Sequence, residues 1–485
     1  MKLRTICRFL SVVVFMISAF MLAPLIWAVS EETSCIFFFI IPIGAGLVVS
    51  AALFWLGRSA APEDMGAKEA FASVSFAWVV ASLLGCLPYI ISGAIPSFTN
   101  AYFEAMSGFT TTGASILGDT ERLPEAILLW RSQTQWLGGM GIVVLTIALL
   151  PMLGVSGSQL FKAEVPGFYV EKIRPRLQDT AILLWKVYMA VTVAGVLALT
   201  AAGLSFLDAV CHVFSAVSTG GFSTHNASVA FFSSPLAEWT IAGLMFFCGT
   251  NFSLLLISIK KVSIKPYRDP EFLFYVRLIA AASLIITLYL LNSGVFAGLN
   301  DAFRHAFFQV VSIITTTGFV TTDYAVWPIA VQMLLFLLVF VGGCSCSTAG
   351  GIKCSRVLVV FKHIYAEGRR LLHPNAVISV RVGDRAVDNA TAASACAFIA
   401  LYICVFMLSA LIVSATGESV TTSLSGVAAT LSNAGLGLGT IGVGGADAFS
   451  GQHILAKWTY IFCMLCGRLE LYTVLVLFTK DAWRR

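Results

Sequence analysis

Charge is scarce in this sequence. Of 485 residues only 11% are Asp, Glu, Lys or Arg, against 58% hydrophobic, where a soluble globular domain carries about 25% charged residues. Too little polar surface remains to face water on all sides. A disulfide framework is also missing: the 12 cysteines are scattered, nearly all inside apolar runs, and Cys35 alone reads as external. Cys344-Ser345-Cys346 and Cys463-Met464-Leu465-Cys466 resemble metal-ligand spacing. Their neighbours are apolar or glycine and no histidine follows at ligand distance, so they are read as small residues in packed helices. There is no Gly-x-Gly-x-x-Gly after a strand and no Gly-x-x-x-x-Gly-Lys-Ser/Thr, so no nucleotide is held by this chain. Paired carboxylates, metal-ligand sets and nucleophile–base pairs are absent from the apolar runs, and His212, His225, His305 and His453 fall outside them, in the outer connections. An intramembrane enzyme is thereby disfavoured.

What the sequence has is apolar runs, each about the 20 residues that cross a hydrocarbon core of ~30 Å. They fall at 9–29, 36–57, 70–95, 127–153, 180–204, 236–259, 274–297, 328–361, 391–415 and 454–479. The expected fold is an all-α polytopic membrane protein of ten spans. Of the 30 Lys and Arg, all but Arg122, Arg131, Arg304, Lys457, Lys186 and Arg468 lie on the side that carries both termini. That side includes Lys162, Lys172, Arg174, Arg176, Arg484 and Arg485, while acidic residues divide evenly, so the positive-inside rule makes it cytoplasmic. The first run ends Ala28-Val29-Ser30-Glu31-Glu32, without a small-x-small cleavage site, and is kept as a helix.

The outer connections repeat. Each opens with a helix-compatible segment of about a dozen residues, too short to span, and then turns on a Thr/Ser/Gly cluster. The clusters are Thr110-Thr111-Thr112-Gly113-Ala114-Ser115, Ser218-Thr219-Gly220-Gly221-Phe222-Ser223, Thr315-Thr316-Thr317-Gly318-Phe319 and Ser432-Asn433-Ala434-Gly435-Leu436-Gly437. Gly113, Gly220, Gly318 and Gly435 are spaced by 107, 98 and 117 residues, close to a period. The unit is span, short helix, glycine turn, span, four times around a central pore. Its boundaries are 66–160, 161–265, 266–375 and 376–485, with two additional helices in 1–65. Asn100, Asp208 and Asp301 precede or open three of the short helices and are capping types.

These turns suit a dehydrated monovalent cation. Non-helical backbone at membrane depth is tolerated where it lines a water-filled path. Glycine lets successive carbonyls aim at an axis, threonine adds an oxygen without a full charge, and helix C-termini contribute about half a negative charge each. Rings of carbonyl oxygens replace the hydration shell of potassium. No carboxylate falls within any of the four turns, unlike a site for magnesium or calcium.

With these motifs the chain resembles the Trk/Ktr/HKT superfamily of potassium transporters, in its TrkH/TrkG branch, over essentially its whole length. The resemblance rests on the four turns, on Gly342-Gly343-Cys344-Ser345-Cys346-Ser347-Thr348-Ala349-Gly350-Gly351-Ile352-Lys353 and on Gly467-Arg468-Leu469-Glu470. It implies a selectivity filter of Thr111, Thr112, Gly113, Ser218, Thr219, Gly220, Thr316, Thr317, Gly318, Asn433, Ala434 and Gly435, with one filter glycine per repeat at Gly113, Gly220, Gly318 and Gly435. Ala434 stands where Thr112, Thr219 and Thr317 are expected to align, so the fourth repeat is expected to lack a hydroxyl.

The eighth run breaks at its glycines. Residues 328–341 reach only ~21 Å as helix, and each glycine that follows weakens a helix by about 1 kcal/mol. A flexible loop below the filter is expected there, and the resemblance makes it the gate, through Gly342, Gly343, Ser345, Ser347, Thr348, Gly350, Gly351 and Lys353. Arg468, expected mid-span, costs at least ~2.5 kcal/mol to insert unless it faces a cavity, and is read as a positive barrier in the pore. Glu470, two residues on, cannot share its helix face and is expected to pair with another helix.

The basic cytoplasmic loop 353–390 suits anionic lipid heads. The resemblance adds a soluble TrkA-type regulatory ring, binding NAD or ATP/ADP, that docks on these loops, and a homodimer with a pore in each protomer. Potassium is the expected substrate, with no cofactor in the chain, no nucleic-acid partner and a bacterial inner-membrane location. The alternative is a symporter coupling potassium to protons or sodium. Such coupling usually leaves ionisable groups at mid-membrane, and Lys186, Arg468 and Glu470 are the only candidates.

Overall fold

The computed structural model describes residues 2–31, 33–59, 66–141, 177–261, 265–373, 375, 378–383, 385–438 and 449–483. The end of the run 127–153, and Lys162, Lys172, Arg174, Arg176, Arg484 and Arg485, lie outside the described residues. The chain is mostly helical. Six stretches among the described residues are long and apolar enough to cross a membrane: Leu3–Glu31, Phe37–Gly57, Lys68–Ile91, Ala181–Ala201, Pro270–Asn292 and Asn389–Ser414. Their outward faces are apolar as well, with Val48 70% and Leu197 67% exposed, as a lipid-facing surface requires.

In chain order, α1 (Leu3–Phe20), α2 (Leu22–Glu31) and α3 (Phe37–Gly57) precede four similar units. The first unit comprises α4 (Ala67–Gly85), α5 (Leu87–Ile91), the short α6 (Phe98–Phe109) and α7 (Glu125–Gly139). Next come α8 (Leu177–Ala201), the short α9 (Phe206–Val217), α10 (Pro235–Cys248) and α11 (Phe252–Lys261). The third has α12 (Pro270–Asn292), the short α13 (Leu299–Ile314), α14 (Ile329–Val339) and α15 (Cys354–Leu372). A hairpin of β1 (Val380–Val382) and β2 (Arg385–Val387) leads to α16 (Asn389–Ser414), the short α17 (Val420–Leu431), α18 (Ile454–Arg468), α19 (Tyr472–Leu475) and α20 (Lys480–Trp483).

The short helices occupy equivalent places. Each packs between the two long helices of its own unit and the second long helix of the preceding one. Thus α6 meets α4, α7 and α18, whereas α9 meets α8, α10 and α7. In the same way α13 meets α12, α14 and α10, and α17 meets α16, α18 and α14. The last unit therefore supplies a wall for the first, and the arrangement is cyclic. The helices α1 and α3 lie outside it, with α1 against α4.

A break was expected in the run 328–361 alone, yet the second long helix stops at the same level in every described case. α10 ends at Cys248 and α11 resumes at Phe252. α18 ends at Arg468, and the chain bends by 112° into Tyr472–Phe478, so 454–479 is not one straight helix and Arg468 is the last residue of α18, beside the bend. The cause is contact with the short helices. A Cβ on Gly139 would lie 2.6 Å from Ser218 Cα, one on Gly249 2.6 Å from Thr315 Cγ2, and one on Gly467 2.5 Å from Asn433 Oδ1. Glycine at these points lets two backbones approach and also weakens the helix.

The caps differ slightly from expectation. Ser97, Ser205, Gly298 and Ser419 are the N-cap residues, and Asn100, Asp208 and Asp301 fall within the first turns. Ser205 Oγ accepts from the Asp208 N–H at 3.1 Å and donates to the Asp208 carboxylate at 2.7 Å, a reciprocal arrangement related to a capping box.

Candidate functional site

All four short helices end in the same way. Thr111, Thr219, Thr316 and Asn433 hold φ of 54°, 55°, 55° and 54°, in the left-handed region. The next N–H bonds back to the carbonyl five residues earlier: Thr112 to Ser107 at 2.9 Å, Gly220 to Ser215, Thr317 to Ser312 and Ala434 to Ala429, each at 2.8 Å. This is the Schellman C-cap, but glycine usually takes the left-handed place. Three β-branched threonines there cost of order 1 kcal/mol or more each, strain that clusters at functional sites.

One residue beyond comes a glycine, again of positive φ: Gly113 at 83°, Gly221 at 79°, Gly318 at 87° and Gly435 at 70°. A Cβ on Gly113 would collide with the Gly220 carbonyl oxygen, one on Gly221 with that of Thr317, one on Gly318 with that of Ala434, and one on Gly435 with that of Thr112. The four contacts close on themselves. They also correct the alignment of the second turn, where Gly221, not Gly220, matches Gly113, Gly318 and Gly435. Gly220 matches Thr112, Thr317 and Ala434, so two turns rather than one lack a hydroxyl at that place. Sequence spacing cannot choose between adjacent glycines.

The Thr112 and Thr317 hydroxyls are engaged at the ends of their own helices. Thr112 Oγ1 bonds to Thr110 Oγ1 at 2.8 Å, and Thr317 Oγ1 to Thr315 Oγ1 at 2.7 Å. The Asn433 amide donates to Thr112 Oγ1 at 2.9 Å, joining the fourth turn to the first. Behind the first two turns a buried ion pair unites Glu104 and Arg131 at 2.6 Å. Glu104 also accepts from Ser115 Oγ at 3.1 Å and the Ile116 N–H at 2.9 Å, while Arg131 donates to the Ser223 carbonyl at 2.8 Å. At the start of α9, burial alone would raise the Asp208 carboxyl, but hydrogen bonds from His225, Thr224 and Ser205 hold it well below the usual range.

The loop between α14 and α15 lies against the far side of the ring. Its strand-like ends pair through a Gly342 N–H to Ile352 carbonyl bond of 2.8 Å. The Gly350 N–H donates to Thr316 Oγ1 at 2.7 Å, and Gly350 abuts Asn433. Thr348 Oγ1 reaches the Val217 and Cys248 carbonyls at 3.2 Å, and the Cys344 N–H reaches the Gly249 carbonyl at 2.9 Å. Ser347 Oγ caps its own turn through the Cys344 carbonyl at 2.6 Å. Buried Lys353 folds back on the Ala349 carbonyl. Glu271, at the start of α12, receives the Ser345 N–H at 2.6 Å and the Ser355 N–H at 3.1 Å. With Gly343 and Gly351 in close contact with neighbouring backbone, the loop is tethered on every side.

Arg468 meets the same loop. Its Nη1 donates to Thr111 Oγ1 at 3.1 Å and the Thr348 carbonyl at 2.9 Å, and its Nη2 to the Gly138 and Gly139 carbonyls at 2.7 and 2.8 Å. These four partners are a hydroxyl and three backbone carbonyls. Glu470 pairs with Arg356 of α15, the interhelical partner that the sequence left unnamed. Glu104, Gln135 and Glu271 were missed by sequence reasoning. A lone carboxylate inside Tyr102-Phe103-Glu104-Ala105-Met106 was a signal that Glu104 needs a buried partner.

The comparisons with known proteins agree with this fold. The profile of the family described as TrkH, cation transport protein, matches residues 36–483. The chain is 40% identical over 487 residues, covering all of both chains, to the Trk system potassium uptake protein TrkH of Salmonella typhimurium. It is 35% identical to the Trk system potassium uptake protein TrkG of Escherichia coli, over 99% of this chain and 97% of that one. The crystal structure of the potassium transporter TrkH from Vibrio parahaemolyticus superposes with a TM-score of 0.89 at 35% identity, covering 100% of each chain. The chain belongs to the TrkH family of cation transport proteins and is a membrane transport protein, not an enzyme.

Proposed function

We propose that this chain takes up potassium across a bacterial inner membrane by letting the ion pass, stripped of water, through the ring of four turns. The observation that carries this reading is the closed cycle in which each positive-φ glycine abuts the next unit's carbonyl. Four helix C-termini converge there, and their dipoles favour a cation. The relatives, potassium uptake proteins and a potassium transporter, point to potassium.

The filter consists of Thr111, Thr112, Gly113, Ser218, Thr219, Gly220, Thr316, Thr317, Gly318, Asn433, Ala434 and Gly435, with Gly221 added as the second turn's positive-φ glycine. The chain crosses the membrane ten times with both termini cytoplasmic, the second span of the second, third and fourth units being a broken helix. The units are 66–160, 161–265, 266–375 and 376–485, after two helices in 1–65. The gate is the loop from Gly342 to Lys353, including Ser345, Ser347, Thr348, Gly350 and Gly351, with Arg468 as a fixed positive charge beneath the filter. A TrkA-type nucleotide-binding partner, binding NAD or ATP/ADP, docks on the basic loop 353–390 and moves the gate through α15. The transporter is a homodimer with one conduit per protomer.

Reversal potentials under bi-ionic potassium and sodium test the reading, for the wild type and Gly113→Ser in liposomes. A potassium preference that Gly113→Ser weakens is the expected result, and unaltered selectivity removes Gly113 from the filter. Flux that follows the potassium gradient with no imposed proton or sodium gradient separates a conduit from a symporter.

A further inference from the structure

The second turn has the least covalent constraint of the four. Gly220 and Gly221 are adjacent there, where the others read Thr112-Gly113, Thr317-Gly318 and Ala434-Gly435. Two glycines in succession make a segment that is costly to order and easy to deform. Gly221 nonetheless holds φ 79°, matching its three counterparts.

One side chain from another unit holds it. Gln135 of α7 is wholly buried. Its Nε2 donates to the Gly220 carbonyl at 2.7 Å, and its Oε1 accepts from the Phe222 N–H at 3.0 Å. Both ends of a single carboxamide thus brace the glycine pair. The amide also fills the volume of a residue-220 side chain, since a Cβ on Gly220 would lie 2.6 Å from Oε1 and 2.8 Å from Nε2. In the first and third turns Thr112 and Thr317 supply their own side chains, tied to Thr110 and Thr315. Gln135 replaces what the second turn lacks.

We propose that Gln135 is a positioning residue that sets potassium-over-sodium discrimination, an inference that rests on the filter reading above. Two physical effects act in the same direction. Sodium is smaller and asks the surrounding oxygens to move inward, and the brace stops the most deformable turn from following. The amide N–H also competes for the Gly220 oxygen and weakens it as a ligand, and a weaker field favours the larger, more easily dehydrated ion. Whether cavity size or field strength governs selectivity, losing the Gln135 amide favours sodium.

The test uses the full chain in liposomes, reading bi-ionic potassium/sodium reversal potentials for Gln135→Met, Gly220→Thr and Gln135→Ala/Gly220→Thr, with Gly113→Ser as control. Gln135→Met keeps the volume and drops both hydrogen bonds, and relative sodium permeability is expected to rise several-fold. Gly220→Thr alone collides with the amide and is expected to lose potassium flux. The double variant frees that space for the side chain used in the first and third turns, and is expected to regain flux and potassium preference. Wild-type selectivity in Gln135→Met beside a control that has lost it overturns the proposal and leaves the filter reading intact. An unchanged control as well overturns both. Should Gln135→Met fail to reach the membrane, the double variant decides: recovery relative to Gly220→Thr supports the brace, and no recovery overturns it.

Discussion

Arg468 donates to the Thr348 carbonyl at 2.9 Å, so the last unit's broken helix and the third unit's loop are joined directly beneath the turns. The same guanidinium reaches Thr111 and the end of α7. One residue therefore both carries a positive charge on the proposed ion path and ties the loop in place. Replacing it with alanine removes barrier and tether together, and potassium flux is expected to rise several-fold. Unchanged or lower flux from folded Arg468→Ala protein refutes this.

The corrected register makes a separate prediction. Gly221→Ala adds a methyl that collides with the Thr317 carbonyl and forces alanine to positive φ, at a cost of about 1 kcal/mol or more. Rubidium uptake is expected to fall as far as in Gly113→Ala or Gly318→Ala. Wild-type uptake in Gly221→Ala returns the role of filter glycine to Gly220.

The Arg356–Glu470 pair links α15 to the bend after α18, and both side chains are 11% exposed. Breaking a pair so nearly buried costs about 3–5 kcal/mol. Each single reversal, Arg356→Glu or Glu470→Arg, is expected to lower thermal stability and change basal flux. The double reversal should recover much of both. No coupling in this cycle means that the pair does not join the two elements energetically.

Glu104 and Arg131 brace the first two turns from behind, at 0% and 4% exposure. Arg131→Met leaves a buried carboxylate without its counter-charge and is expected to destabilise the protein by about 3–5 kcal/mol. Glu104→Gln/Arg131→Met should be milder, because an amide still serves Ser115 and Ile116. Melting temperatures in detergent measure the difference, and equal loss in both variants rejects the buried-charge explanation.

Asp208 predicts a pH dependence. Its folded-state pKa lies below the ~3.9 of a free aspartate, so its contribution to stability is present above about pH 4 and is lost as pH falls toward the folded value. Asp208→Asn should melt below the wild type at pH 7, with the gap narrowing below pH 4. A gap that is constant with pH excludes the carboxylate as its source.

Much of this arrangement was legible in the sequence because it is built locally. A dozen helix-compatible residues followed by Thr-Thr-Thr-Gly announce a short helix and a turn wherever they occur, and their recurrence supplied the unit. Contacts between units were not legible. Ser218-Thr219-Gly220-Gly221 fits the pattern in two registers, and only the meeting of Gly221 with Thr317 selects one. The stop after Cys248 lies inside an apolar run that reads as continuous, since it arises from Gly249 pressed against Thr315. The polar stretch Arg131-Ser132-Gln133-Thr134-Gln135 inside an apolar run marks a buried polar site in α7, but not which residues Gln135 serves, since its partners are 85 and 87 residues away.

A channel assembled from identical subunits can alter its filter only in quadruplicate, since each substitution appears in all four quarters at once. In the proposed filter the quarters are encoded separately, and a brace in the second leaves the other three untouched. Evolution can therefore tune ion preference one quadrant at a time, by small and lopsided steps that a symmetric assembly has no means of taking.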